Sequence, residues 1–386
     1  ILFLIPMPLS HSKKVIRTFA LVSFLNDFGA DMVHALWPAF LTQVLGVNMV
    51  ILGLIDGVGE ALVSISQAVS GYFSDRIHRR KIFIWLGYLM SAVSRIGYAF
   101  AMSWPVAFVS KIVERSGKMR DAPRDAVAAD LSNHHNRGGN FGILRTMDNL
   151  GALCGALAAI VLIRYLPMRT IFLYAAIPSI IGAILILIFI REHHNGFRLY
   201  EGLHWKNLSA SYKWFVLLNG IFSIGTFSYS FLLIFAQKFG FALATLPLLY
   251  LIYMAAATVS SYPFGRMADA VGRRLVILMG FVFWAATLAT LLLSQDAYGI
   301  FISFVFFGLS KGALEAAQKA FVTELAPTHF RASALGTFKL VDGLTALPAS
   351  VIAGELWERF GAFAPFHLSL VLTAIAAVML VFVDGR

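Results

Sequence analysis

The sequence predicts an all-α integral membrane protein of about twelve transmembrane helices, arranged as two six-helix bundles related by a pseudo-two-fold axis along the membrane normal. Three observations lead there. Of 386 residues, 59% are hydrophobic and 13% charged, against about 25% charged in an ordinary soluble domain; mean hydropathy is +0.77. No soluble fold of this length hides so much apolar surface, so most of it must face lipid. Apolar stretches of about 20 residues, enough to cross a bilayer, recur along the chain. The chain also repeats itself at a constant offset of 194 residues.

In chain order the spans are expected near residues 16–46, 49–74, 82–102, 105–131, 138–164, 170–190, 213–238, 243–268, 274–294, 297–324, 332–357 and 361–384. The bundles are 1–190 and 213–386, joined by a polar cytoplasmic linker at 191–212. Short loops on one side carry Lys13, Lys14, Arg17, Arg76, Arg79, Arg80, Lys81, Arg137, Arg191, Arg198, Lys206, Lys213, Arg266, Arg273, Arg274 and Arg331. The other side holds little beyond Arg164, Arg169, Lys238 and Arg359. The positive-inside rule puts both termini in the cytoplasm. The net charge of +11 is therefore topology, not a nucleic-acid surface. The chain opens on Ile1, so its natural start is expected upstream. "ILFLIPMPL" precedes Lys13 and Lys14, the reverse of a secretory signal. Cys154 is the one cysteine, which excludes an internal disulfide or a cysteine metal cluster.

The repeat is specific. "GYFSDRIHRRK" from Gly71 returns as "GRMADAVGRRL" from Gly265. Asp130 matches Glu324, Arg137 matches Arg331, Gly142 matches Gly336, Arg145 matches Lys339 and Asp148 matches Asp342. An even number of spans per half gives both halves the same orientation, with a cavity between them. These residues resemble the major facilitator superfamily of secondary transporters, whose loop between helices 2 and 3 reads roughly G-x-x-x-D-R-x-G-R-R/K. Gly71, Asp75, Arg76, Arg79, Arg80 and Lys81 follow that pattern, with His78 in place of its inner glycine. The second copy keeps Gly265, Asp269, Gly272, Arg273 and Arg274, with Ala270 in place of the first arginine. The resemblance implies a gating latch. Gly71 would admit a neighbouring helix. Asp75 would pair with Arg76 or Arg137, or face a helix N-terminus of the other half. In the fifth span Gly142, Gly151 and Gly155 partly match a family antiporter pattern, with Ala156 replacing its proline.

Ser110–Asp130, "SKIVERSGKMRDAPRDAVAAD", is charged yet falls where the register requires the fourth span. Its charges must face protein or a water-filled cavity. Lys111, Glu114, Arg115 and Lys118 share one face; Arg120, Arg124, Asp121 and Asp125 follow at i,i+4 spacing. Pro123 is expected to kink the helix. "GKMRDAPRDA" resembles a segment of a bacterial subgroup of the same superfamily. The first span, "SFLNDFGADMVHALWP", places Asp27, Asp31 and His34 on one face. Carboxylates at that depth suit proton relay, assigned to Asp27, Asp31 and Glu60. Ion pairing of Asp27 with the fourth or fifth helix, and a divalent metal on Asp27, Asp31 and His34, remain open alternatives.

The tenth span carries Lys311, Glu315 and Lys319, the eleventh Lys339 and Asp342. The seventh contributes Phe227 and Tyr229. In the family, helices 1, 4, 7 and 10 line the cavity. A wall of charge facing a wall of aromatics suits an amphipathic solute. Substrate contact is assigned to His34, Glu114, Arg115, Lys118, Phe227, Tyr229, Lys311 and Glu315. Gating or ion pairing is assigned to the two signatures and to Arg120, Arg124, Asp125, Arg137, Arg145, Asp148, Arg331, Lys339 and Asp342. The expected function is proton-coupled transport of a small organic solute, outward across the inner membrane, by a monomer using the proton gradient and no cofactor. Organic-anion uptake and metal transport are the alternatives. No nucleophile–base motif or phosphate loop suggests an enzyme.

Overall fold

Apolar runs interrupted by glycine, proline and short polar loops have one solution in lipid: helices that satisfy their own backbone. The computed structural model describes residues 11–77, 79–132, 137–190, 209–326 and 331–383, and no strand occurs among them. The side chains of Asp75, Arg137 and Arg331, together with His78 and residues 191–208, lie outside the described residues, and with them the assigned Asp75 latch.

Twelve crossings follow in order. α1 is His11–His34, extended by a turn at Trp37–Ala39 and a π-turn at Phe40–Val44. α2 is Met49–Arg76, α3 Arg80–Phe100, and α4 runs Trp104–Ser116, then a tighter 3-10 turn Gly117–Arg120, then Asp121–Asp130. α5 is Arg137–Leu162 and α6 Met168–Phe189. α7 is split into Ala210–Gly225 and Tyr229–Lys238; α8 is Leu246–Val271, α9 Arg273–Leu293, α10 Ala297–Leu325, α11 Arg331–Phe360 and α12 Ala364–Val381. The irregularity in α4 precedes Pro123 by about one turn. Pro123 falls in the first turn of the resumed segment, where its missing N–H costs little. The expected kink is thus displaced to the glycine-led 3-10 turn.

Ten of these helices are long and apolar enough to cross a membrane by themselves; α1 and α4 are not among them. Those two carry His34 and Glu114, and most of their buried charges are paired inside the bundle. Outer faces are oily where lipid would lie, as at Val93, Leu157, Val282 and Val378, each at least half exposed. In lipid, association comes from close packing and hydrogen bonds rather than from hiding oil from water. The packing obeys the sequence repeat. α1 packs on α5 and α6, and α3 on α6; α7 packs on α11 and α12, and α9 on α12. Arg80–Asp130 (2.6 Å) ties α3 to α4, and Arg273–Glu324 ties α9 to α10, its glutamate in register with Asp130 and its arginine one residue ahead of Arg80's counterpart, Arg274. The signature's inner glycine has a local reason in the second copy: Gly272 turns α8 into α9 at φ +102°.

Between the halves, contact is uneven. α2 and α11 press together from the end opposite the termini, where Glu358 accepts from Met49 N–H at 2.7 Å, down to Ser64, which donates to the Lys339 carbonyl at 3.0 Å. Beyond that level they part. A side chain added at Gly265 or Gly336 would meet nothing within 4 Å, and one at Gly71 would meet only Ala122 of its own half. The molecule is therefore sealed at the far end and open at the end holding the termini.

Candidate functional site

The fifth-helix glycines set the orientation of α1. A Cβ at Gly151 or Gly155 would lie 2.4 Å from the Phe24 carbonyl or 2.2 Å from that of Phe28, so α5 sits directly against the α1 backbone. Gly142, the third glycine of that spacing, makes no such approach. Held this way, α1 turns Asp31 and His34 toward α4 and α8. His34 Nε2 lies 2.9 Å from Glu114 Oε1. Tyr98 of α3 donates to Glu114 Oε2 at 2.8 Å, and Lys111 Nζ stands 3.5 Å from the same oxygen while capping the Trp37 ring. His34 Nδ1 is 3.7 Å from Asp31 Oδ1, which accepts from the Tyr250 hydroxyl of α8 at 2.6 Å. A continuous polar chain thus runs from α8 of the second half, through Asp31, His34 and Glu114, into the core of the first. Lys111, Glu114 and Asp31 are 1%, 6% and 7% exposed. Charges so far from water persist only when paired and hydrogen-bonded, as here.

A second carboxylate joins the halves beside it. Asp56 of α2 accepts from Trp37 at 2.9 Å and, across the interface, from Ser228 at 2.7 Å and Ser230 at 2.5 Å. The break in α7 makes this possible, because Ser228 caps the helix segment that begins there. Tyr229 adds a bond to the His34 carbonyl at 3.1 Å.

Below these contacts lies a cavity of about 400 Å3, open toward the termini. His34, Glu60, Gln67 and Arg115 line it from the first half; Ser223, Phe227, Tyr229, Tyr250, Tyr253, Phe307, Lys311, Lys339 and Asp342 line it from the second. A side lobe of about 130 Å3 adds Asn219, Glu315, Gln318 and Lys319. Six assigned substrate residues, His34, Arg115, Phe227, Tyr229, Lys311 and Glu315, therefore reach the cavity or its lobe. Glu114 does not; it is consumed behind His34 by three partners. Lys118 does not line it either. Glu60 does, paired with Arg115 at 3.2 Å.

Asp27 departs from the face expected of it. Its contact is with Asn26 (3.0 Å), and among the described residues no basic side chain of α4 or α5 pairs with it. It does not join Asp31 and His34, so the metal alternative lacks its third ligand; no group of three His, Cys, Asp or Glu placed to hold a metal occurs among the described residues. The termini-side charges brace their own half. Arg120 reaches Ser91, the Gly117 carbonyl and the Tyr88 ring; Arg124 reaches Asp125, Asp148 and Ser23. Arg76 bonds Tyr72, and Arg274 bonds carbonyls at the end of α12. Arg273 is also near Asp269 at 3.8 Å, and Asp342 accepts from Ser223 at 2.6 Å. Arg79 is exposed. One assigned pair does cross the halves at this end: Arg145–Glu315, 3.6 Å, both more than half exposed.

Several participants were given no role from the sequence. Lys111 was placed on the face of Glu114, and its i,i+3 spacing was the signal for their pairing. Tyr250 had one too: it stands 194 residues after Asp56, and both join the halves. Arg95 had none. It is 1% exposed and donates to the Asn26 and Ala175 carbonyls and to Ser179, pinning α1, α3 and α6 together.

Comparison with known proteins agrees with this architecture. The profile of the Major Facilitator Superfamily matches residues 19–219 and 214–386. An uncharacterised MFS-type transporter of Methanocaldococcus jannaschii is 33% identical over 384 residues, covering 96% of this chain and 95% of that protein. A probable 4-methylmuconolactone transporter of Cupriavidus pinatubonensis is 25% identical over 380 residues, 92% of this chain and 87% of that one. Among solved structures, an inward-facing, unoccupied bacterial homologue of the human lysosomal transporter Spinster superposes with a TM-score of 0.77 at 14% identity, covering 97% of each chain.

Proposed function

Since this chain belongs to the major facilitator superfamily and is a multi-pass membrane transporter, we propose that it couples proton movement to the passage of a small amphipathic organic solute through the central cavity. It works by alternating access, with both termini cytoplasmic in the cytoplasmic (inner) membrane. The direction we assign is outward, on the glycine spacing of α5. The relative named for 4-methylmuconolactone supports a small organic solute.

One observation carries the coupling: Asp31 belongs at once to the proton chain and to the seal between the halves. Its ionised carboxylate accepts from Tyr250, a charge-assisted bond that exists only while the far end is closed. A proton on Asp31 weakens that bond and favours opening. Asp31 is faced by His34 on α1, Arg95 on α3, Tyr229 on α7, and Tyr250 and Tyr253 on α8. His34 borders the cavity and gives the proton its route to water. The reading is tested without any solute. Spin labels at Val44→Cys and Phe360→Cys, exposed far-end positions, report the separation of the halves in a Cys154→Ala protein in nanodiscs. Asp31→Asn, which cannot make the charge-assisted bond to Tyr250, should lengthen the distance at one fixed pH. An Asp31→Asn protein with the unaltered distance removes Asp31 as the switch.

A further inference from the structure

The cavity's cations are not equally engaged. Arg115 is neutralised by Glu60 at 3.2 Å, and Glu315 is matched by Arg145 at 3.6 Å. Asp342 is occupied by the Ser223 hydroxyl at 2.6 Å. Lys311 and Lys339 have no carboxylate within 4.0 Å of Nζ among the described residues. Lys311 is partly buried at the depth of Phe307, one turn before it, whose ring lies 5.9 Å from its Nζ. Phe307 stacks on Tyr253 at 4.4 Å, giving a flat apolar wall beside the ammonium, and Phe227 continues the wall on α7. The second half therefore presents an uncompensated positive charge next to an aromatic surface, inside a cavity of about 400 Å3. A lysine at membrane depth is costly without a counter-charge, and a bound anion supplies one.

We infer that the transported solute is an organic monoanion of the aromatic or aliphatic carboxylate class. Its head group is anchored by Lys311, with Lys339 beside it at the cavity mouth. Its apolar body lies on Phe307, Tyr253 and Phe227. Cationic solutes are repelled by the same lysines, and neutral ones forfeit the ion pair. This rests on the transporter reading above and names its substrate class.

The experiment is calorimetric titration of the full-length protein in detergent at about pH 8, with no gradient, using three probes of one shape: 4-phenylbutyrate, 4-phenylbutanamide and 4-phenylbutylamine. The carboxylate should bind at least about tenfold more tightly than the amide or the amine. Lys311→Gln should weaken the carboxylate about tenfold or more, Lys339→Gln by less, and Lys311→Arg should retain it within about threefold. Thermal unfolding of each variant establishes that it is folded; if Lys311→Gln is not, the three-probe series on the unsubstituted protein decides. Amide or amine binding as tight as the carboxylate overturns the inference. So does carboxylate binding unchanged in a folded Lys311→Gln protein, and so does no carboxylate binding up to about 10 mM. The spin-label response of the far end uses no solute, so loss of the coupling reading and loss of the anion reading are separate results.

Discussion

Two seams close the far end of the cavity, and the sequence repeat makes them counterparts. α2 meets α7 through Asp56, and α8 meets α1 through Tyr250, exactly one repeat offset of 194 residues later. The polarity is inverted. In the first seam the α2 residue is the acceptor and α7 supplies hydroxyls; in the second the α8 residue is the donor and α1 supplies the carboxylate. The surroundings differ more. Asp56 is enclosed by three donors and does not border the cavity. Asp31 has one cross-half donor and a histidine that borders the cavity on its other side. The same fold position thus holds an enclosed clamp on one side and a contact beside the cavity on the other.

The helices behind the seams show why. Lys111, Glu114, Arg115 and Lys118 of α4 correspond, one repeat later, to Val305, Gly308, Leu309 and Gly312 of α10. α4 adds buried ion pairs to its glycine packing, where a Cβ at Gly87 would lie 2.5 Å from the Gly117 carbonyl; the matching stretch of α10 is held by contact, a Cβ at Gly308 lying 2.5 Å from the Tyr253 carbonyl. The buried ion pairs of α4 therefore have no counterpart at the matching positions of α10.

The largest expected effect breaks the charged side. Glu114→Gln leaves Lys111 buried with its nearest carboxylate gone, which should cost about 3–5 kcal/mol. A large fall in the thermal unfolding midpoint in detergent should result; a midpoint matching the unsubstituted protein would show that α4 is held by packing, like α10. Next, Asp56→Asn weakens three hydrogen bonds to a carboxylate and should destabilise the closed far end by about 2–3 kcal/mol. The Val44–Phe360 label distance should lengthen, and an unchanged distance would show that the Asp56 seam does not hold the far end closed. The smallest contrast sharpens the repeat-related acids deeper in the bundles. Asp148→Asn removes a partner of the largely buried Arg124 and should cost about 1–3 kcal/mol. Asp342→Asn, at an exposed site, should stay within about 0.5 kcal/mol. Equal unfolding midpoints for the two would mean that the halves bear charge alike after all.

What the sequence determined by itself was everything that depends on local pattern. Hydropathy over about 20 residues marks ten of the crossings, because lipid tolerates only self-satisfied helices, and the repeat register supplies the fourth. The offset of 194 residues set two similarly oriented halves, and charge in Ser110–Asp130 required a protein-lined interior. Tertiary structure alone decided which charge meets which. Glu114 and Arg115 are neighbours in sequence, yet about 100° of helical rotation sends one to His34 and the other to Glu60 at the cavity. Asp27 and Asp31 are one turn apart, and only Asp31 meets a tyrosine from 219 residues away. The break in α7 likewise places Ser228 and Ser230 on Asp56 of the other half. Such pairings rest on ångström separations between helices remote in sequence, which no local periodicity encodes.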